Sequence, residues 1–311
     1  MKNKTLWIVF SVLLVLYLLS QLLGGQRAER SFNPVLFSLD TAAVTRIDLY
    51  TRADSFERVR IEKEGAGWMA SMGSIRTPAE HDRVMALLEQ LLEAKAQRIA
   101  AKKADRWPNF ELDEASAKAH VVVMAGDQTV VDLWVGGFRF NQQTRAGTSF
   151  LRKSEADDVY ALDGFISMGL AQGFDSYRNK TLLRLNPEEL TQVELQLGAQ
   201  SFNYQKTGGQ WTTQDGAPLD STKMAQYLGG LANFNGNQFA DGFAEDQANV
   251  QSRQRLVLRG NNMAAALEVD CFALSGAAQP FVVRSSLNPA YFSGDSPGLY
   301  QRLFKTPLNL Q

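Results

Sequence analysis

Few residues in this chain have the types and spacing for chemistry. Gly65-x-Gly67-x-x-Ala70, inside "IEKEGAGWMAS" at 61–71, has the spacing of the glycine fingerprint that cradles a dinucleotide pyrophosphate. "GDSPG" at 294–298 fits G-x-S-x-G with Ser296 in the nucleophile position. His81 and His120 are the two histidines and Cys271 the single cysteine, so any imidazole base, thiol nucleophile, or imidazole or thiolate metal ligand must come from these three. Acidic pairs stand at Asp157-Asp158 and Glu245-Asp246, the residue type that glycoside hydrolysis uses in twos.

Each has a plainer reading. A dinucleotide loop joins a strand to a helix whose N-terminus faces phosphate, whereas Trp68 is followed by "MASMGSIRTP", turn-rich and unsuited to helix. The glycines read instead as a hairpin turn needing positive φ. A nucleophilic serine needs a histidine base held by a carboxylate. No histidine follows His120, and neither histidine lies in a protease-like motif, so Ser296 is expected to cap, and Pro297 to open, a closing helix "PGLYQRLF". Neither histidine has a second histidine or cysteine at zinc-ligand spacing, and no S-x-x-K occurs. Cys271 alternates with apolar residues in "LEVDCFAL", the pattern of a buried strand thiol without a basic partner. The acidic pairs lie in polar loop sequence and are expected to be solvated. No catalytic, cofactor-binding or metal-ligating residue is therefore assigned, no cofactor is expected, and the chain is read as not an enzyme. Its binding residues stay unassigned.

The elements that position these residues begin with the N-terminus. Lys2 and Lys4 precede an uncharged run at 6–23, "LWIVFSVLLVLYLLSQLL", which as a helix reaches about 27 Å, enough to cross a bilayer core. A buried core helix or a cleaved signal peptide fits less well, since no small-x-small cleavage site follows. The expectation is a signal anchor at 1–25 contacting lipid through 6–23, with the lysines cytoplasmic and Trp7 and Tyr17 near the two interfaces. The bulk of the chain would then be periplasmic or otherwise extracytoplasmic. Thirty-two basic residues against 33 acidic ones give no field that would attract nucleic acid.

Comparing the chain with itself gives the architecture. "LFSLDTAAVTRIDLYT" at 36–51 parallels "LLRLNPEELTQVELQL" at 182–197, placing Ile47 and Leu49 on Val193 and Leu195. "VRIEKEGAGWM" parallels "FNYQKTGGQWT", with Trp68 on Trp211. A helix follows in each copy: Thr77-Pro78-Ala79-Glu80 reads as a capping box before the stripe Val84, Leu87, Leu88, Leu91, Leu92, matched by Met224, Tyr227, Leu228 and Leu231. Hairpins with turns at Gly126-Asp127 and Gly260-Asn261-Asn262 come next, then a pairing of Phe150 with Phe281 and Tyr160 with Tyr291. The fold class is α+β: an N-terminal transmembrane helix, then two tandem α+β repeats with mainly antiparallel sheets. The boundaries are a tether at 26–36, a first repeat at 37–164, a bridging segment at 165–181 and a second repeat with its closing helix at 182–311.

The N-terminal run, the strand pair before Trp68, "TPAEHDRVMALLEQL", "DDVYAL" and "YRNKTLLRLNPEELTQVEL" together resemble the bacterial domain-of-unknown-function family 4340. The resemblance covers most of residues 1–200 and continues more weakly into the second repeat. Proteins of that family are commonly encoded beside ABC-transporter subunits of the gliding-motility type. The resemblance thus implies a non-catalytic, membrane-anchored extracytoplasmic accessory subunit at the bacterial inner membrane, binding an ABC transporter permease, a related envelope protein or its cargo. The alternative is an envelope glycan- or lipid-binding module, motivated by Trp68, Trp107, Phe110, Trp134, Phe138 and Phe140.

Overall fold

The computed structural model describes residues 34–247 and 250–310. The run at 6–23 lies outside them, and among the described residues no helix is long and apolar enough to cross a membrane. The first strands are β1 (Arg46–Thr51), β2 (Arg58–Glu64), β3 (Gly67–Met72) and β4 (Ile75–Pro78), followed by helix α1 (His81–Leu92) and β5 (Ala96–Ala101). After a 3-10 segment, Ala104–Phe110, come β6 (Ala119–Ala125), β7 (Gln128–Asn141), β8 (Ala146–Lys153), β9 (Val159–Asp163) and the short α2 (Ile166–Leu170). Next are β10 (Thr181–Arg184), β11 (Leu190–Leu197), β12 (Gln200–Thr207), β13 (Gln210–Thr213) and α3 (Ser221–Leu231). Then come β14 (Asn233–Asn235), β15 (Gln238–Phe239), β16 (Val250–Gly260), β17 (Leu267–Leu274), β18 (Phe281–Ser285), β19 (Asn288–Gly294), a closing turn, Ser296–Tyr300, that runs into Gln301–Leu303, and a last short helix, Pro307–Leu310.

These elements make two compact α+β units with mainly antiparallel sheets. One holds residues 34–62 with Met85–Gly173, the other Lys63–Val84 with the chain from Phe174 onward. In the first unit the strands run β2-β1-β6-β7-β8-β9-β5, and in the second β12-β11-β16-β17-β18-β19-β15, so the order of neighbours coincides position by position. In the first unit β5, directly after α1, pairs with the last strand of the sheet, β9; in the second, β14 follows α3 and pairs with β10, and β15 after it pairs with β19.

The local reasons are visible in the sequence. Gly65 adopts φ +56 between β2 and β3, and Gly208 and Gly209 adopt φ +61 and +86 between β12 and β13. Both glycine stretches therefore join strand to strand, where positive φ is needed and no helix N-terminus is presented to a phosphate. Alternating Ile47 and Leu49 are fully buried, as are Val193 and Leu195, the period-two pattern of strands with one face on a core. The stripes Val84, Leu87, Leu88, Leu91 and Met224, Tyr227, Leu228, Leu231 are all buried. Leu92, the last residue of α1, departs from its stripe and is 45% exposed. In the second unit the α3 stripe joins Trp211, Tyr204 and the inward residues of β11 and β16–β18 in one core.

Three expectations are corrected by the backbone. Thr77 and Pro78 form the end of β4, with Pro78 opposite Met69, and do not cap a helix. The Ala79 amide donates to the Trp68 carbonyl at 2.8 Å and the Glu80 amide to Tyr177 at 2.7 Å. These bonds hold the chain extended up to Glu80, whose carbonyl accepts the first helical bonds from Arg83 and Val84. The closing turn is capped by Asp295, whose carboxylate accepts from the Gly298 amide at 2.7 Å, with Ser296 one residue inside. Finally, the pairing of Phe150 with Phe281 and Tyr160 with Tyr291 slips by one residue. Trp134 lies opposite Arg152 and Asp270 opposite Arg284, so Arg152 corresponds to Arg284 and Phe150 to Val282. Likewise Leu151 faces Tyr160 as Val283 faces Phe292. A one-residue slip exchanges the faces of a strand, and Phe150 and Phe281 indeed belong to different faces of their sheets.

Candidate functional site

The side chains with chemical potential gather on the outer face of each sheet, opposite the inward alternation. In the first unit Tyr50 on β1, His120 on β6, Trp134 on β7 and Arg152 on β8 are successive partners in the strand registers. They form one lateral row. Cross-strand neighbours on one face stand close enough for rings to meet: Tyr50 stacks on His120 with centroids 5.6 Å apart, and His120 on Trp134 at 4.6 Å and 11°. The Arg152 guanidinium lies 5.0 Å from the Trp134 ring and 3.9 Å from that of Trp107, a cation held between two π-faces.

Trp107 arrives from the connection between β5 and β6, which folds back over this face. Its indole donates to the Asp157 carbonyl at 3.0 Å, and Arg152 Nε donates to the Leu112 carbonyl at 3.1 Å. Leu112, Phe150, Val159 and Ala161 form a small buried cluster beneath. Two glycines in β7, at a break in the register between Val135 and Phe138, let the connection approach: a Cβ on Gly136 would collide with the Phe110 carbonyl oxygen. Burial draws the Arg152 guanidinium below its ordinary value, against the attraction of Glu114, Asp132 and Asp157.

At the edge of this row a serine, a histidine and an aspartate meet. His120 Nε2 is 2.7 Å from Asp132 Oδ1 and 3.4 Å from Ser154 Oγ, while Ser154 also donates to Asp132. A nucleophilic relay requires the carboxylate on one imidazole nitrogen and the serine on the other. Here both partners use Nε2, so the cluster is a hydrogen-bond network closing the row. His81 is exposed in the first turn of α1.

The corresponding row in the second unit is ionic. Gln196 on β11, Arg255 on β16, Asp270 on β17 and Arg284 on β18 are successive register partners. Asp270 accepts from Arg253 Nε and Nη2 at 3.1 and 2.8 Å and from Arg255 Nε at 2.9 Å, and Arg284 stands at 3.5 Å. Burial alone would raise the Asp270 carboxyl, but the hydrogen bonds and charges of Arg253 and Arg255 outweigh it and hold it below the ordinary carboxylate range. The connection between β15 and β16 covers this face as its counterpart does in the first unit. Glu245 pairs with Arg284 at 2.9 Å and accepts from the Tyr291 hydroxyl at 2.8 Å, and Phe243 packs on Phe272 and Tyr291. Gln196, Arg253, Gln254 and Arg255 line a shallow groove of about 330 Å3.

Several sequence expectations meet this geometry directly. Glu245 is not a solvated loop carboxylate but a partner of two arginines and a tyrosine. Cys271 lies buried on the core side, its thiol pushed up to about 12 by burial and by Asp270. No group of three acidic, histidine or cysteine side chains able to hold a metal occurs among the described residues. Trp68 and Trp211 are core, 5% and 7% exposed, whereas Trp134 and Trp107 belong to the outer face. Phe110 is covered by Phe150 and Arg139, and Phe138 stacks on Phe165, while Phe140 is exposed. The rows themselves were missed, because residues from four strands become neighbours only through the registers.

The family described as "Domain of unknown function (DUF4340)" matches residues 72–254, from the end of β3 into β16. The chain belongs to this family. No curated protein and no solved structure matches it. The family match thus takes in α1, the first-unit row from His120 to Arg152 but not Tyr50, and Gln196 and Arg253 of the ionic face.

Proposed function

We propose that this protein is a non-catalytic, membrane-anchored extracytoplasmic accessory subunit of an ABC-type envelope transport system, binding the transporter or its cargo. Residues 37–164 and 182–311 act in this reading as two diverged copies of one binding unit at the bacterial inner membrane, held by the run at 6–23. The observation that carries it is the pair of equivalent outer faces. The same four strand positions bear a stacked cationic row in one unit and an arginine–carboxylate row in the other. Two copies that keep an architecture while changing the chemistry of one surface suit recognition of two different partners or two parts of one.

Support for glycan stacking is thinner. A ring that binds sugar needs an open π-face, and those of Trp134 are taken by His120 and Arg152. Purification of the full-length protein in mild detergent, with identification of the membrane proteins that accompany it, tests the proposal. A co-purifying permease with its ATPase is the expected result. Recovery of the protein without any transporter component, under conditions that keep such complexes intact, would contradict it.

A further inference from the structure

Among the described residues, large apolar side chains stand exposed at only a few positions: Val35, Leu92, Phe140, Phe165 and Met168 in the first unit, and Leu287 and Leu308 in the second. The five in the first unit are linked by contacts into one end of it. The chain arrives there at Pro34 and Val35, where the Ala96 amide donates to the Pro34 carbonyl at 2.8 Å and Val35 bridges Lys95. Leu92 closes α1 three residues before Lys95. Gln90, two residues before Leu92, lies directly against Gly169 of α2, where a Cβ would collide with its Oε1. That helix buries Ser167 and Leu170, while Phe165 at its N-cap and Met168 within it are 56% and 53% exposed.

The same end includes the tip of the β7–β8 hairpin. Ser167 Oγ donates to the Gly137 carbonyl and the Ser167 amide to Ser149 Oγ, pinning α2 to β7 and β8. Phe165 stacks on Phe138 at 4.9 Å. Phe140 shares the Phe138 face of β7, two residues on, and is 51% exposed because its partner across the ladder is Gly147, which has no side chain to cover it.

We propose that this end of the first unit rests on the lipid bilayer, with Phe140, Phe165, Met168 and Leu92 entering the interface. The inference rests on reading 6–23 as the membrane anchor. Between that run and Pro34 lie residues 24–33, which extended reach about 35 Å at most. The point where the chain arrives cannot lie farther than that from the surface, and all the exposed large apolar groups among the unit's described residues surround it. Apolar groups of this kind bind a membrane by burying themselves a few ångströms into the headgroup boundary, and a tether that keeps them near it raises their effective concentration.

The test uses the full-length protein in phosphatidylcholine/phosphatidylglycerol vesicles, with an environment-sensitive fluorophore on Phe140→Cys or Met168→Cys. A control fluorophore sits on Asp127→Cys, in the turn at the opposite end of β7, about 40 Å away at strand rise. Phe140 and Met168 are chosen because they are exposed, and the buried Cys271 stays unlabelled. Shallow spin-labelled lipid should quench both patch probes at least twofold more than the control. Equal quenching at all three positions in protein that resists carbonate extraction would overturn the proposal and leave the anchor standing. Protein extracted by carbonate, with unquenched patch probes, would remove both. Shielding of the patch probes that rises with protein concentration in detergent alone would assign the patch to a second copy of the chain and also overturn the proposal.

Discussion

Asp270 shows how one carboxylate organises a surface. Two arginines hold its oxygens at 2.8–3.1 Å and a third stands at 3.5 Å, so Asp270→Asn leaves Arg253, Arg255 and Arg284 facing one another. Hydrogen bonds to charged groups contribute about 1.5–3 kcal/mol; a loss of that order is expected by urea denaturation. The sign with pH follows from the lowered carboxyl. Its contribution is complete above the ordinary aspartate value of about 4 and is lost as pH falls through the lower folded-state value. Thermal melts across pH 2–7 should therefore show the wild type losing its advantage over Asp270→Asn only at the acid end. An unchanged difference down to the lowest pH would contradict this account. Cys271, its thiol raised to about 12 by burial, should react with a thiol reagent at neutral pH only after denaturation; rapid labelling of native protein would place it at an accessible surface.

Between elements, the tryptophans and the two connections carry the argument. Trp211 is core beside the α3 stripe, and its carbonyl accepts from Leu219 just before the Asp220 cap. Trp68 accepts from Ala79 just before α1 in the same way. Trp68→Ala and Trp211→Ala should each cost about 3–5 kcal/mol as buried aromatics, measurable as a lowered denaturation midpoint, with partner binding falling only through loss of folded protein. Gly136→Ala tests the β5–β6 connection, since the added methyl meets the Phe110 carbonyl and Leu112. A cost of about 1–3 kcal/mol with altered Trp107 fluorescence is expected; an unchanged spectrum would mean that the connection is not seated on the row. Hairpin glycines, helix stripes and inward alternation were all legible because they are local patterns. The capping box does not form because bonds to Trp68, across the β3–β4 hairpin, and to Tyr177, far along the chain, hold Ala79 and Glu80 extended. The final strand pairs were misaligned by one because similar aromatics, Phe150 and Phe281, lie on opposite faces of corresponding strands.

At the scale of the whole molecule, the family and the α+β class were readable from motifs spread along the chain, and the candidate site was not. Tyr50, His120, Trp134 and Arg152 are separated by 14 to 70 residues, and none carries a local motif. The same holds for Gln196, Arg255, Asp270 and Arg284, while Arg253 and Glu245 join through the fold alone. Location underlies every functional statement: an extracytoplasmic accessory subunit, its partner and its lipid-facing end all require the described residues to lie across the membrane from Lys2 and Lys4. The most direct measurement is a pair of reporters fused after Gln311, one active only outside the cytoplasm and one only inside. The account expects activity from the first, with uncleaved protein in the membrane fraction. Activity from the cytoplasmic reporter alone would contradict it.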